Sequence, residues 1–285
     1  MKVLSTIKEL RNNINEINLI PLGFVPTMGA LHDGHISLVS RAKDDCPVIV
    51  VSIYVNPTQF NDKEDLKKYP RNLDADLALL GNLLRDKDII FTPTDKEMYP
   101  EEDNREFHFG NLDRVMEARH RPGHFNGVAQ VVSKFFEIIC PDKAYFGLKD
   151  FQQVAIIKEL VSQNGYNLEI ITNPIIREPD GLAMSSRNWL LDPGIRKKAP
   201  VIYKTISEAA LMIENHDIPE IKKFVKETIG NEKEFSVDYF EIVDERRLMT
   251  IRNKKRMKGN LHYYGCIAVK AGNIRLIDNI EIPLP

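Results

Sequence analysis

Hydrophobic positions change their period twice within the N-terminal part of the chain. Leu4, Ile7, Leu10, Ile14 and Ile17 recur at the spacing of an amphipathic helix. A short apolar run, Ile20 to Pro26 (IPLGFVP), reads as a strand closed by proline. A loop bearing glycine and histidine follows, and a helix is predicted over about His35–Asp44. Val48 to Val55 (VIVVSIYV) is β-branched almost throughout, the composition of a strand covered on both faces. Strand, loop, helix and strand in that order make a βαβ unit and hence a parallel sheet.

The alternation continues: a helix near Asn72–Leu84, a strand at Asp88–Phe91, a helix at Asn126–Ile139, a strand at Ala144–Phe146, a helix from Phe151 to Ser162 and a strand at Leu168–Thr172. Residues 1–175 are therefore expected to form one doubly wound α/β domain. Beyond Pro174 the texture changes. Two amphipathic helices, about Pro200–Asn215 and Pro219–Ile229, precede strand-like runs at Val237–Val243, Tyr263–Lys270 and Ile274–Ile280. Ala271-Gly272-Asn273 is a hairpin turn between the last two. Residues 176–285 are expected to be a smaller α+β domain joined by a hinge.

Composition narrows the function classes. The 285 residues are 43% apolar and 28% charged, with 39 basic against 41 acidic side chains and a formal charge of -2. A protein that lives on duplex nucleic acid shows a basic excess, which this chain lacks. Cys46, Cys140 and Cys266 are odd in number and far apart, so neither a zinc ribbon nor a disulfide framework is indicated, and buried free thiols are expected. No run reaches the roughly 20 apolar residues of a membrane span, and the N-terminus lacks a signal core. A cytoplasmic protein is expected.

Five constellations carry candidate chemistry. The first is Pro26-Thr27-Met28-Gly29-Ala30-Leu31-His32-Asp33-Gly34-His35, between a parallel strand and a helix. Open α/β sheets bind ligands at such loops, and helix N-terminal amides favour anions. His32 and His35 bring two imidazoles to that region, where imidazolium or a neutral N–H donor would stabilise charge on phosphates. The alternatives are surface histidines or a metal pair, although no carboxylate or cysteine lies at matching spacing. GxGxxG and Walker A motifs are absent.

The second, Asn56-Pro57-Thr58-Gln59-Phe60, sets two carboxamides at a strand tip, either to orient a substrate or to form an Asx turn. The third is Phe146-Gly147-Leu148-Lys149-Asp150-Phe151-Gln152-Gln153. Lys149 offers a compact cation for phosphate, Gly147 a close backbone approach, and Asp150 a capping or ribose-binding carboxylate. The fourth, Met184-Ser185-Ser186-Arg187-Asn188, offers two hydroxyls and a guanidinium, either a polyphosphate clamp on a mobile loop or a helix cap. The fifth, Arg119 to Phe125 (RHRPGHF), is either an anion-binding loop or solvated surface.

Together PTMGALHDGH, NPTQF, RPGHFNGV, FGLKDFQQ and DGLAMSSRN resemble the pantoate–β-alanine ligase family, with VDYFEIVD and RLIDNIEI adding a weaker likeness in the last third. One departure is Gln130, where threonine is expected after GVA. The resemblance implies a Rossmann-like domain with a C-terminal lid, HDGH standing for the HIGH motif of class I synthetase-like nucleotidyltransferases and MSSR for their mobile signature loop. It also implies ATP and Mg²⁺ as cofactors, a homodimer, and small-molecule partners without nucleic acid or membrane; it identifies no metal ligands. By the same resemblance, His32, His35, Lys149 and Arg187 are catalytic. ATP is met by Met28, Gly29, Ala30, Leu31, Asp33 and Gly34 with the two histidines. Gly147, Leu148, Lys149, Asp150 and Ile176 follow, then Met184, Ser185, Ser186 and Arg187. Gln59 and Gln153 are implied for pantoate, and Gln59 for β-alanine.

Three rival readings are weighed against this one. A nucleotidyltransferase of the same fold is disfavoured by the Gln59/Gln153 pair, which suits a hydroxy acid. An RNA-binding synthetase relative is disfavoured by the near-neutral charge. A nucleotide-sensing module would bind ATP without releasing AMP.

Overall fold

The computed structural model describes residues 1–284. Two compact units are present, and each is interrupted in sequence. The first comprises residues 1–109, 121–148 and 156–174; the second comprises residues 110–120, 149–155 and 175–285. The segments 110–120 and 149–155, which the sequence places in the N-terminal domain, thus belong with the C-terminal one.

The first unit is built on six parallel strands: β1 Lys2–Leu4, β2 Leu22–Thr27, β3 Val48–Ile53, β4 Ile89–Phe91, β5 Lys143–Gly147 and β6 Glu169–Asn173. Their order is β1-β4-β3-β2-β5-β6, and every pairing is parallel. From β2 the sheet grows one way through β3 and the other way through β5. That reversal is the switch point at which open α/β sheets leave a crevice beyond their carboxyl ends. β1 and the short helices Lys63–Lys68 and Asp95–Met98 are additions to the sequence reading. A three-residue edge strand and single-turn helices give too few positions for a period to register.

Both faces of this sheet are covered. Val25, Val51, Ile90 and Tyr145 pack with Leu38, Val39 and Ala42 of the helix Asp33–Asp45. Phe24, one residue from Val25 and so on the opposite face, meets Phe135 of the helix His124–Ile139 at 5.3 Å between ring centroids. Fully buried Val48–Ser52 explains the unbroken β-branched run.

The second unit has an antiparallel sheet of β7 Phe235–Asp244, β8 Tyr263–Ala271 and β9 Ile274–Ile282, in that order. Helices Val201–Met212 and Ile218–Gly230 close its core through Ile202, Ile206, Ile221 and Val225. Gly272, in the expected hairpin turn, has φ 60°, a conformation glycine adopts without strain. Cys46 and Cys266 are buried, as expected, but Cys140 is exposed. It caps the helix His124–Ile139 in the left-handed conformation, at φ 49°. Among the described residues no helix is long and apolar enough to cross a membrane.

Candidate active site

β2, β3 and β5 are neighbours, so the residues following Thr27, Ile53 and Gly147 leave the sheet at one edge. After Thr27 the chain turns through Gly29 (φ 76°) and Ala30 (φ 48°) before the helix begins at Asp33. A left-handed alanine is held only by strong surroundings. Here they come from Asp76, a buried carboxylate that accepts the N–H of Ala30 at 2.9 Å and of Leu31 at 2.8 Å. A Cβ on Gly29 would stand 2.9 Å from Asp76 Oδ2, so glycine is required there twice over. The amides of Ala30 and Leu31 are thereby engaged by a protein carboxylate rather than presented to a phosphate.

His32 is the N-cap of the helix Asp33–Asp45: its Nδ1 accepts the Gly34 N–H at 3.1 Å. The His32 N–H in turn donates to Nδ1 of His35 at 3.3 Å, a reciprocal capping box made of two imidazoles. Their ring centroids lie 4.2 Å apart. A nitrogen that accepts an N–H carries no proton, so each neutral ring bears its hydrogen on Nε2. Of the forms the sequence left open, the geometry selects the neutral N–H donor. Among the described residues no group of three or more His, Cys, Asp or Glu is disposed to hold a metal.

Gln59 sits in a single helical turn, Pro57–Gln59, after β3 and is buried. Its Nε2 lies 2.8 Å from the sulfur of Met28, which brings the second constellation against the first. Asn56 is the turn's cap: its Oδ1 accepts from Thr58 Oγ1 at 3.2 Å and from Tyr99 Oη at 2.9 Å, while Nδ2 donates to Gly127 O at 3.1 Å. The Asx-turn reading therefore holds for Asn56. His124 Nδ1 lies 2.7 Å from the Gln59 carbonyl, and Arg121 Nη1 lies 3.0 Å from His124 Nε2. The RPGHF loop thus supports the Gln59 turn, a role outside the two its sequence offered.

In the second unit, Lys149 lies in the turn Leu148–Asp150 with its ammonium 3.6 Å from Asp150 Oδ1. Gln152 is buried and structural. It donates to Leu112 O at 2.7 Å and Val115 O at 2.9 Å and accepts the Glu117 N–H at 2.9 Å. Gln153 is half-buried in the first turn of the helix Phe151–Asn164. Ile176–Met184 forms a small hairpin, with the Met184 N–H on Ile176 O at 2.9 Å and Glu178 N–H on Leu182 O at 2.8 Å. Ser185 caps the following turn, Ser186–Leu190, by accepting the Arg187 N–H at 3.3 Å. Asn188 Nδ2 then ties the segment back to Glu178 Oε1 at 2.7 Å and Ala183 O at 3.1 Å. Of the two readings of this segment, Ser185 meets the cap, and the segment is bonded at both ends.

A family model described as pantoate-beta-alanine ligase matches residues 2–281. The chain belongs to the pantoate–β-alanine ligase family. It is 49% identical over 283 residues to the pantothenate synthetase of Bacteroides thetaiotaomicron, covering 99% of each chain. The crystal structure of pantothenate synthetase from Thermus thermophilus superposes with a TM-score of 0.90 at 40% identity, again over 99% of each. The pantoate-beta-alanine ligase of Francisella tularensis, solved with βγ-ATP and β-alanine, matches at TM-score 0.80 and 34% identity, over 99% of this chain and 97% of that one.

Set within that family, the residues that sequence reasoning passed over are Asp76, Tyr99 and His124's contact with Gln59. Asp76 carries a readable signal. It lies four residues before buried Leu80 on one face of the helix Leu73–Gly81, and an acid on an apolar face needs a polar partner. Tyr99 and His124 carry none, since their partners are distant in sequence and are backbone or amide groups.

Proposed function

We propose that the chain catalyses the ATP-dependent condensation of pantoate with β-alanine, through pantoyl adenylate. The observation that carries this reading is the pair of Nε2–H imidazoles at a helix start, with the buried Gln59 amide against Met28 of the loop that leads to them, at the switch point of the sheet. The complex of the Francisella tularensis relative with βγ-ATP and β-alanine supports it.

In the first step a pantoate carboxylate oxygen attacks the α-phosphorus of ATP. The bond to the bridging oxygen breaks, and pyrophosphate departs. His32 and His35 donate hydrogen bonds through Nε2–H to phosphate oxygens as charge moves onto them, and neither neutral ring gives up its proton. Lys149, Ser185, Ser186 and Arg187 act on the same phosphates. Gly147, Leu148 and Asp150 take the ribose side, and the backbones around Met28 and Ile176 hold the nucleotide, with Gly29 to Leu31, Asp33, Gly34 and Met184 shaping its surroundings. In the second step the free amine of β-alanine attacks the acyl carbon and AMP leaves with the bonding electron pair; the amine proton passes to solvent. Gln59 and Gln153 orient pantoate, and Gln59 also meets β-alanine. No protein nucleophile takes part.

Mg²⁺ fits this donor set in its usual manner, bound mainly by phosphate oxygens and water with one or two carboxylates; Asp150 is the acid beside Lys149. When bound, the ion would neutralise phosphate charge. The chain acts in the cytoplasm as a homodimer, which sedimentation at working concentration tests.

The deciding experiment is AMP release with pantoate and β-alanine each omitted in turn, together with pantoate-dependent exchange of pyrophosphate into ATP. AMP formed only with both substrates, and exchange only with pantoate, is the expected result. Exchange without pantoate, or none with it, overturns the reading.

A further inference from the structure

The RLIDNIEI run places Asp278 and Asn279 in β9, both buried, and no step above uses either. Asp278 holds Arg177 with two bonds, Oδ2 to Nη1 at 2.6 Å and Oδ1 to Nη2 at 2.9 Å. Arg177 opens the hairpin that leads to Ser185. Its guanidinium also donates to Gly181 O at 3.1 Å and to Asn279 O at 3.3 Å, and it lies 3.7 Å over the ring of Tyr203. The next residue faces elsewhere: Asn279 Nδ2 donates to the main-chain carbonyl of Lys149 at 3.1 Å, while its own N–H donates to Asp278 Oδ1 at 2.8 Å. Two consecutive strand residues thus grip two segments far apart in sequence.

A fold staple would look similar, but two features separate the cases. Well-packed apolar residues usually stabilise a core at least as well as a buried ion pair, so stability alone gives little reason for one. Both gripped segments also carry groups assigned to the triphosphate, and the grip on one of them falls on Lys149 itself. We infer that Asp278 and Asn279 are positioning residues for adenylation, fixing Lys149 and the Ser185–Arg187 segment at a set spacing. The inference rests on the proposed function and deepens it.

The test exploits a difference between the half-reactions: adenylation handles a triphosphate, whereas amine attack does not. Asn279→Ala is assayed for pantoate-dependent pyrophosphate exchange and, separately, for pantothenate formed from synthetic pantoyl adenylate and β-alanine. Exchange is expected to fall about 10–100-fold, the scale of a displaced reactive group. Amine attack stays at its wild-type rate, while the thermal midpoint falls by a few degrees from the lost buried hydrogen bond, so both half-reactions are compared well below it. Asp278→Asn, which leaves Arg177 against a neutral partner, shows the same selectivity if it folds; Asn279→Ala carries the test if it does not. Equal loss in both half-reactions, or exchange at the wild-type rate, overturns the inference. A wild-type protein without exchange removes the proposed function first.

Discussion

Arg121 donates through Nη1 to Nε2 of His124 at 3.0 Å. A guanidinium can only donate, so this contact commits the imidazole proton to Nδ1 and hence to the Gln59 carbonyl, 2.7 Å away. A neutral histidine of fixed tautomer therefore sets the backbone of Gln59, the glutamine proposed to bind pantoate. His124→Phe keeps the ring volume and removes both bonds. Leaving the buried carbonyl unsatisfied costs about 1–3 kcal/mol. The expected kinetic outcome is a KM for pantoate raised about tenfold, the effect of losing roughly 1.4 kcal/mol, with the KM for ATP unchanged. Initial rates against each substrate check this.

Gly127 faces the same turn from the helix His124–Ile139. An added Cβ would stand 2.4 Å from Thr58 O and 2.7 Å from Gln59 Cα, both backbone atoms that cannot rotate away. Gly127→Ala is therefore expected to destabilise by about 1–3 kcal/mol, as overpacking does. It should also weaken pantoate binding. Urea unfolding and pantoate titration measure the two effects.

Asp76 holds the Gly29–Leu31 turn by two amides. Asp76→Asn keeps the shape but sets an NH₂ against one N–H donor, so one bond is lost and a donor is left facing a donor. Loss of about 1–3 kcal/mol of stability is expected, with adenylation slowed because the loop carrying His32 is released. A denaturant series with pantoate-dependent exchange tests both; an unaltered exchange rate would refute the link.

His35→Ala and Lys149→Ala address the chemistry. Each is expected to slow single-turnover adenylation by about 10²–10³-fold, the range for one preorganised donor. Circular dichroism should match the wild-type spectrum. Rates near wild type would remove that residue from the mechanism.

Acid stability has a distinct source. The Arg105 guanidinium bonded to Asp103 lowers that carboxyl from 3.8 to about 2, and the side chain is only 4% exposed. A depressed folded-state value gives stability that is complete above the unfolded value and is lost as pH falls through the folded one. The window is thus about pH 4 down to pH 2. The shift corresponds to about 2 kcal/mol. Asp103→Asn should lose about that much at pH 7 and flatten the acid limb of a stability–pH profile. An unchanged limb would rule Asp103 out as its source.

The parallel sheet was legible because β3 is covered on both faces and its sequence shows it. The helices were legible wherever one face is buried over several turns. His32, His35, Gln59 and Lys149 could be singled out because each follows a strand in a motif of unusual residue types. The supports of those residues were not legible as pairs; Asp76 alone shows, as an acid on an apolar helix face, that it needs some polar partner. Asp76, Tyr99 and Asn279 act on backbone or amide groups that are 45, 43 and 130 positions away. Such pairs leave no period and no local motif. The support that His124 gives Gln59 was not legible for a related reason: a basic loop does not show in sequence that one of its imidazoles is turned inward on a carbonyl.

Chain connectivity adds a constraint on any attempt to dissect the molecule. The second unit recruits residues 110–120, and with them Glu117, whose carboxylate accepts two bonds from Arg275 at 2.6 and 2.7 Å and one from Tyr239 at 2.8 Å. A fragment starting after residue 175 would keep Arg275 and Asp238 but lose Glu117, the other carboxylate on that arginine, and would keep Asn279 without Lys149. No single cut in the gene releases either unit whole. Recombination between relatives that swaps only the last third of the coding sequence must therefore mismatch this ion pair, unless both parents share it.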